Sequence, residues 1–162
     1  MKKLLLSLLT FFSFVVFVSA QTNGVGKIDE FNNLPCDEYL SRFDAALQKA
    51  YENPASTVYI LIYEGKESKF DSKKKKFKLV LPRFGSAKAK IVSMRNYLLV
   101  RNFSADRFSF IEAGLREELT VEFWLVPSGA TPPKLSPTLK KIKYQKGKAH
   151  GFCIGCCDDM VL

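Results

Sequence analysis

The sequence predicts a two-layer α/β (α+β) sandwich: a mixed sheet in the order (β)αβ-αββ with two helices on one face. Three observations carry that prediction. Residues 57–63 are β-branched and aromatic almost throughout and meet no charge until Glu64, the composition of an innermost strand. Two stretches repeat apolar residues at helical spacing, first Leu40, Phe43, Leu47 and Tyr51, then Ala87, Ile91, Met94 and Leu98. Two later runs alternate instead: Phe108 and Phe110 within residues 107–112, and Leu119, Val121, Phe123 and Leu125 within residues 119–126.

Taken in order, the chain opens with Lys2-Lys3, an apolar run over residues 4–18 broken only by Ser and Thr, and Val18-Ser19-Ala20 before Gln21. These are the three regions of a secretory signal, and the run is short for a bilayer span. Cleavage after Ala20 is expected, giving an exported protein, secreted or periplasmic, with no transmembrane segment once residues 1–20 are gone. Residues 21–127 suit one compact core and are too few for two ordinary domains.

Residues 27–31 form a short edge strand. Pro35-Cys36-Asp37-Glu38 starts the first helix, with Asp37 and Glu38 complementing the positive end of its dipole, and Asn53-Pro54 stops it. After the inner strand, residues 64–85 are a Lys-rich excursion in which Phe77, Leu79 and Leu81 make a short strand or a hairpin arm before Pro82-Arg83. The second helix keeps Lys88, Lys90, Arg95 and Arg101 largely off its buried stripe. It ends at Asn102, which tolerates the left-handed conformation of a cap. Ser104-Ala105-Asp106 turns the chain into the next strand, and residues 113–117 connect it to the last one, with Gly114 as the positive-φ residue. Trp124 and Val126 make that last strand apolar on both faces and therefore well covered.

Beyond Pro127 the pattern stops. Pro132, Pro133 and Pro137, with Ser128 and Gly129, describe an extended linker, and residues 138–149 are basic with little apolar periodicity. Residues 128–162 are expected to be a disordered tail that holds three of the four cysteines. The chain has a formal charge of +9, concentrated in Lys73, Lys74, Lys75, Lys76 and Lys78 and in residues 134–148. Such runs favour anionic surfaces by simple electrostatics. They lack the interleaved aromatics of a stacking platform, so no specific nucleic-acid partner is expected.

His150, Cys153, Cys156 and Cys157 form the one metal-like cluster, with ligand types that zinc accepts in tetrahedral geometry. In an oxidising compartment disulfide pairing is favoured over metal. Adjacent Cys156 and Cys157 rarely bond each other without strain, so Cys36 with one tail cysteine is the preferred bridge. A thiol-dependent redox protein using Cys153-Ile154-Gly155-Cys156 is the alternative. No hydrolase constellation is present on the folded domain, because His150 is the single histidine and lies in the tail. Glu118 and Glu122 read as solvent-facing partners of Arg107 or Arg116. No catalytic residue and no cofactor is expected.

Ala89-Lys90, followed by Asn96-Tyr97-Leu98 and then Ser104-Ala105-Asp106-Arg107-Phe108, resembles the C-terminal domain of the OmpA family of cell-envelope proteins. Residues 31–64 and 81–133 also resemble small exported bacterial proteins whose ends read REELTVELWIVPPGA. The matching residues are Arg116-Glu117-Glu118-Leu119-Thr120-Val121-Glu122-Phe123-Trp124-Leu125-Val126-Pro127, then Gly129-Ala130. The resemblance implies an OmpA-like fold and a non-enzymatic envelope module for peptidoglycan or another anionic envelope polymer. That family binds through an Asp after a core strand and an Arg early in the following helix. Here Glu64-Gly65-Lys66-Glu67 stands in place of Thr-Asp-x-x-Gly, and Lys90, or Ala89 if the register slips by one, in place of the Arg. Glu64, Lys66 and Lys90 are thus the candidate ligand-binding residues, although Lys cannot copy the planar fork of Arg on a carboxylate.

Overall fold

A computed structural model describes residues 24–152, with backbone alone at Cys36. Its elements are β1 (Gly26–Phe31), α1 (Cys36–Glu52), β2 (Ser56–Asp71), β3 (Lys76–Val80), α2 (Ser86–Val100), a 3-10 turn (Ala105–Arg107), β4 (Phe108–Glu118) and β5 (Thr120–Pro127). The first half of β2 is central. Ile60 lies opposite Phe123 of antiparallel β5 on one edge and opposite Phe110 of parallel β4 on the other. β1 pairs antiparallel with β5, so the sheet is mixed, as expected for a two-layer α+β fold. No helix among the described residues is long and apolar enough to cross a membrane.

Period-two alternation gives this sheet two apolar faces. Val58, Ile60 and Ile62, with Val121 and Phe123, share one core with Tyr39, Phe43 and Leu47 of α1 and Ile91, Met94 and Leu98 of α2. Both helices therefore cover the same face. Leu61, Tyr63 and Ala113 form a second cluster with Tyr59, Ile111 and Trp124. Tyr51, expected in the stripe of α1, is 73% exposed, because Ala50 takes the buried position in that last turn and the next residue is rotated about 100° from it. α2 ends as its Asn102 suggests. Asn102 has φ 54°, its N–H donates to the Leu99 carbonyl at 3.1 Å, and the Phe103 N–H donates to the Leu98 carbonyl at 2.9 Å, the paired bonds of a Schellman cap.

Within the sheet the sequence reading is corrected at β4, at Glu122 and at residues 64–71. β4 does not stop at Glu112 with a connection over residues 113–117; Gly114, with φ 103°, sits at a bulge where Ala113 is the extra residue between the Ile62–Glu112 and Tyr63–Gly114 pairs, and the strand continues to Glu118. Glu122, expected to face solvent, is buried. It accepts from Arg116 at 2.8 Å, Lys27 at 3.2 Å and the Trp124 indole at 2.9 Å. Residues 64–71, expected in a loop, continue β2: Glu64 and Lys66 still pair with β4, and residues 67–71 pair with β3 as a hairpin arm.

The single residue Leu119 joins β4 to β5 although the two strands flank β2, so the chain crosses over β2 there. The crossing is fixed by a hydrogen bond from the Leu119 N–H to the Lys66 carbonyl at 3.0 Å.

Residues 128–152, expected to be disordered, run as an extended surface segment held on the domain. The Thr138 and Leu139 N–H groups both donate to the Leu115 carbonyl at 2.9 and 3.1 Å, and Gln145 N–H donates to the Pro82 carbonyl at 2.9 Å. The Ser136 N–H donates to the Tyr63 hydroxyl at 3.2 Å, on the sheet face opposite the helices. Backbone groups and polar side chains, among them Tyr63, Arg116 and Tyr144, hold much of this segment, which is why no apolar spacing announces it.

Candidate functional site

α2 turns one of its cations inward. Lys90, expected on the exposed side, is only 3% exposed. Its Nζ donates to Glu67 Oε1 at 2.8 Å, to Ser86 Oγ one turn back at 3.0 Å, and to the His150 backbone carbonyl at 3.3 Å. Three donors meet three acceptors, the condition under which a buried ammonium is tolerated. Ser86 in turn donates to the same Glu67 oxygen. Burial would raise the pKa of Glu67, but the Lys90 charge and hydrogen bond, the Ser86 hydroxyl and the Arg83 charge outweigh it and hold the carboxyl below its ordinary value.

Glu64 has a different task. Its carboxylate accepts the Ala87 N–H at 2.9 Å and the Tyr144 hydroxyl at 2.7 Å. α2 starts after Gly85, at φ 78°, with no side-chain cap of its own, so a carboxylate from β2 serves its positive end. Burial, and then the Glu64 hydrogen bond and charge, push the Tyr144 hydroxyl up to about 12. Lys66 is directed to Glu117, 3.8 Å away. The structure thus separates the three candidates, and Glu67 supplies the carboxylate that meets Lys90.

The end of the surface segment closes over this pair. Phe152 stacks on Tyr39 with ring centroids 4.1 Å apart, its ring lies 5.3 Å from Lys90 Nζ, and its carbonyl accepts from Ser93. A side chain at Gly151 would meet the Ala89 carbonyl at 2.9 Å, so only glycine lets the segment lie this close to α2. Beneath it Asn33, Tyr39, Glu67, Lys90 and residues 150–152 line a cavity of about 130 Å3. A larger groove of about 660 Å3 shares Glu67 and His150 with it and runs along the β2–β3 hairpin past Lys69, Lys73, Lys78 and Arg83. Asp71, its other acid, is paired with Lys78 at 3.0 Å. Among the described residues Lys69 and Lys73 have no carboxylate within ion-pair distance, so the groove is net positive.

Sequence reasoning missed Glu67, Ser86, Ser93 and Tyr39 as members of this site. One signal was available: Lys90 adjoins Ile91 on the border of the buried stripe and lies four residues after Ser86. Cys153, Cys156 and Cys157 lie outside the described residues, and Cys36 opens α1. His150 reaches Lys90 with its backbone carbonyl. In comparisons with known proteins, the chain matches no protein-family model, no curated protein and no solved structure.

Proposed function

We propose that this chain is an exported, non-enzymatic binding domain of the cell envelope, whose ligand is an anionic polymer, peptidoglycan first, laid along the groove of the β2–β3 hairpin. The observation that carries this reading is the unmatched positive charge of the groove. Lys69, Lys73 and Arg83 line it while Glu67 and Asp71 are already paired with Lys90 and Lys78. A cationic cleft with low-dielectric walls concentrates polyanions. The signal-like leader and the OmpA-like motifs point the same way. Ser86 and Lys90 stand at the distance of a nucleophile and its base, 3.0 Å, but Lys90 directs all three of its hydrogens to acceptors and offers Ser86 no lone pair.

The test is a pull-down on purified peptidoglycan at graded salt, with the Lys69→Gln, Lys73→Gln, Arg83→Gln triple variant in parallel. Binding should weaken steeply with salt and fall more than tenfold in the variant. Retention by the variant, or affinity that survives several hundred millimolar salt, contradicts a screened attraction in this groove. A thiol-dependent metal or redox protein built on Cys153, Cys156 and Cys157 is the other reading, and a count of free thiols separates the two.

A further inference from the structure

We propose that the β2–β3 hairpin arm is a membrane-docking element, which sets its exposed aromatic face into the interfacial layer of an anionic lipid bilayer while the lysines of its tip meet the headgroups. This goes beyond the groove reading and does not depend on it.

Past Lys66, β2 leaves the main sheet and pairs with β3 alone. Cross-strand partners share a face and neighbours along a strand alternate. The register Ser68–Leu79 and Phe70–Phe77 therefore puts two phenyl rings and a leucine on one side of the arm, with Lys69, Lys78, Asp71 and Lys76 on the other. The two rings meet edge to face, their centroids 5.3 Å apart. Phe70, Phe77 and Leu79 are 53%, 63% and 49% exposed and stand outside both core clusters. A two-stranded arm is marginal by itself, and adjacent exposed apolar side chains rimmed by charge mark a surface that meets a partner.

The charge of the tip selects that partner. Lys73, Lys74, Lys75 and Lys76 are consecutive and exposed, and among the described residues none has a carboxylate within ion-pair distance. Asp71 is paired with Lys78 at 3.0 Å and accepts the Lys73 and Lys74 N–H groups at 3.1 and 3.3 Å, so it braces the turn and leaves the four ammonium groups unmatched. Lys75 has φ 49°, a left-handed position that favours Gly or Asn, yet a lysine is held there. A bilayer interface stacks an anionic layer on an apolar one, and interfacial elements set their apolar side chains about 5–10 Å into that boundary. Each lysine near an anionic leaflet tightens binding about fivefold. A soluble polyanion would take the lysines and leave both rings in water. A second copy would bring its own lysine tip against this one, and Lys76 and Lys78 on the edge strand β3 oppose strand addition.

The test measures co-sedimentation of the full mature chain with vesicles of equal parts phosphatidylglycerol and phosphatidylcholine, and with vesicles of phosphatidylcholine alone. Three variants run in parallel: Phe77→Ser with Leu79→Ser; Lys74→Gln with Lys75→Gln and Lys76→Gln; and Phe77→Trp as a reporter. Wild type should bind the anionic vesicles and not the neutral ones, and each of the two multiple variants should bind them about tenfold more weakly or worse. Phe77→Trp should keep the affinity, and its emission, beyond that of Trp124 in wild type, should shift to the blue and be quenched by lipids brominated along the acyl chain. Undiminished binding by either multiple variant, or a reporter left unquenched, overturns the docking face. Absence of binding to the anionic vesicles overturns it too, as does self-association without lipid that Phe77→Ser with Leu79→Ser abolishes, which would give the face to a second copy. Should that variant fail to fold, the quenching of Phe77→Trp decides the question.

Discussion

Gly65 lies directly against the peptide that joins Glu118 to Leu119: a Cβ at position 65 would stand 2.5 Å from the Glu118 carbonyl oxygen. The neighbour is backbone, and it belongs to the one-residue crossing from β4 to β5, so neither partner has a rotamer with which to yield. Gly65→Ala should therefore cost about 3 kcal/mol, the upper end of overpacking penalties. Gly129→Ala is not an equivalent control because of its φ of 78°, whereas Gly24→Ala, with open space around it, should be neutral. A Gly65→Ala protein as stable as wild type in a denaturant melt would mean that the crossing is misplaced.

Phe123 is fully buried, with its ring 5.3 Å from that of Phe31 and 5.7 Å from that of Phe43. Its removal empties the contact between β5 and α1 at the centre of the sheet. Phe123→Ala should lose about 3–5 kcal/mol. A loss below about 1 kcal/mol in the same melt would contradict this packing.

The Lys90–Glu67 pair makes a prediction with a sign. The folded-state pKa of Glu67 is depressed, so its contribution is present above the unfolded value of about 4.3 and is lost as the pH falls through the folded value. The stability advantage of wild type over Glu67→Gln should hold at pH 6 and shrink below about pH 4. A difference that stays flat from pH 6 to pH 3 would show that the pair is not formed. Lys90→Ala, which strands the carboxylate, should cost about 3–5 kcal/mol, and the double change Lys90→Met with Glu67→Leu should cost much less.

What the sequence revealed, it revealed through periodicity. Ile60 and Phe123, Met94 and Leu98, and the cap at Asn102 follow from spacing or from one residue's backbone preference, and all are where the pattern puts them. Lys90 was misjudged because a long stem allows a cation to lie inside when acceptors await it, and two of its three acceptors come from β2 and from residue 150, distant in sequence. Glu64 was misjudged for a related reason. Its role as a cap depends on where α2 starts in space, which no local motif encodes. The surface segment was illegible because it is fastened partly by carbonyls and N–H groups, which every residue carries, and partly by side chains such as Arg116, Tyr144 and Phe152 whose partners are distant in sequence.

Residues 150–152 also bear on the cysteines. Phe152 stacks on Tyr39, which lies three residues after Cys36 in the first turn of α1, and Cys153 follows Phe152 in the chain. In an oxidising compartment Cys36 should be bridged to a tail cysteine, with Cys153 the first candidate. Closing so long a loop should add about 2–4 kcal/mol, lost on reduction. Lys140, Lys141 and Lys146 are exposed, so a Lys-directed protease can sever the segment without unfolding the domain. After cleavage and denaturation the C-terminal fragment should remain attached to the fragment carrying Cys36 until a reductant is added. Release without reductant would exclude the bridge, and free thiols that hold zinc stoichiometrically would favour the metal reading of His150, Cys153, Cys156 and Cys157.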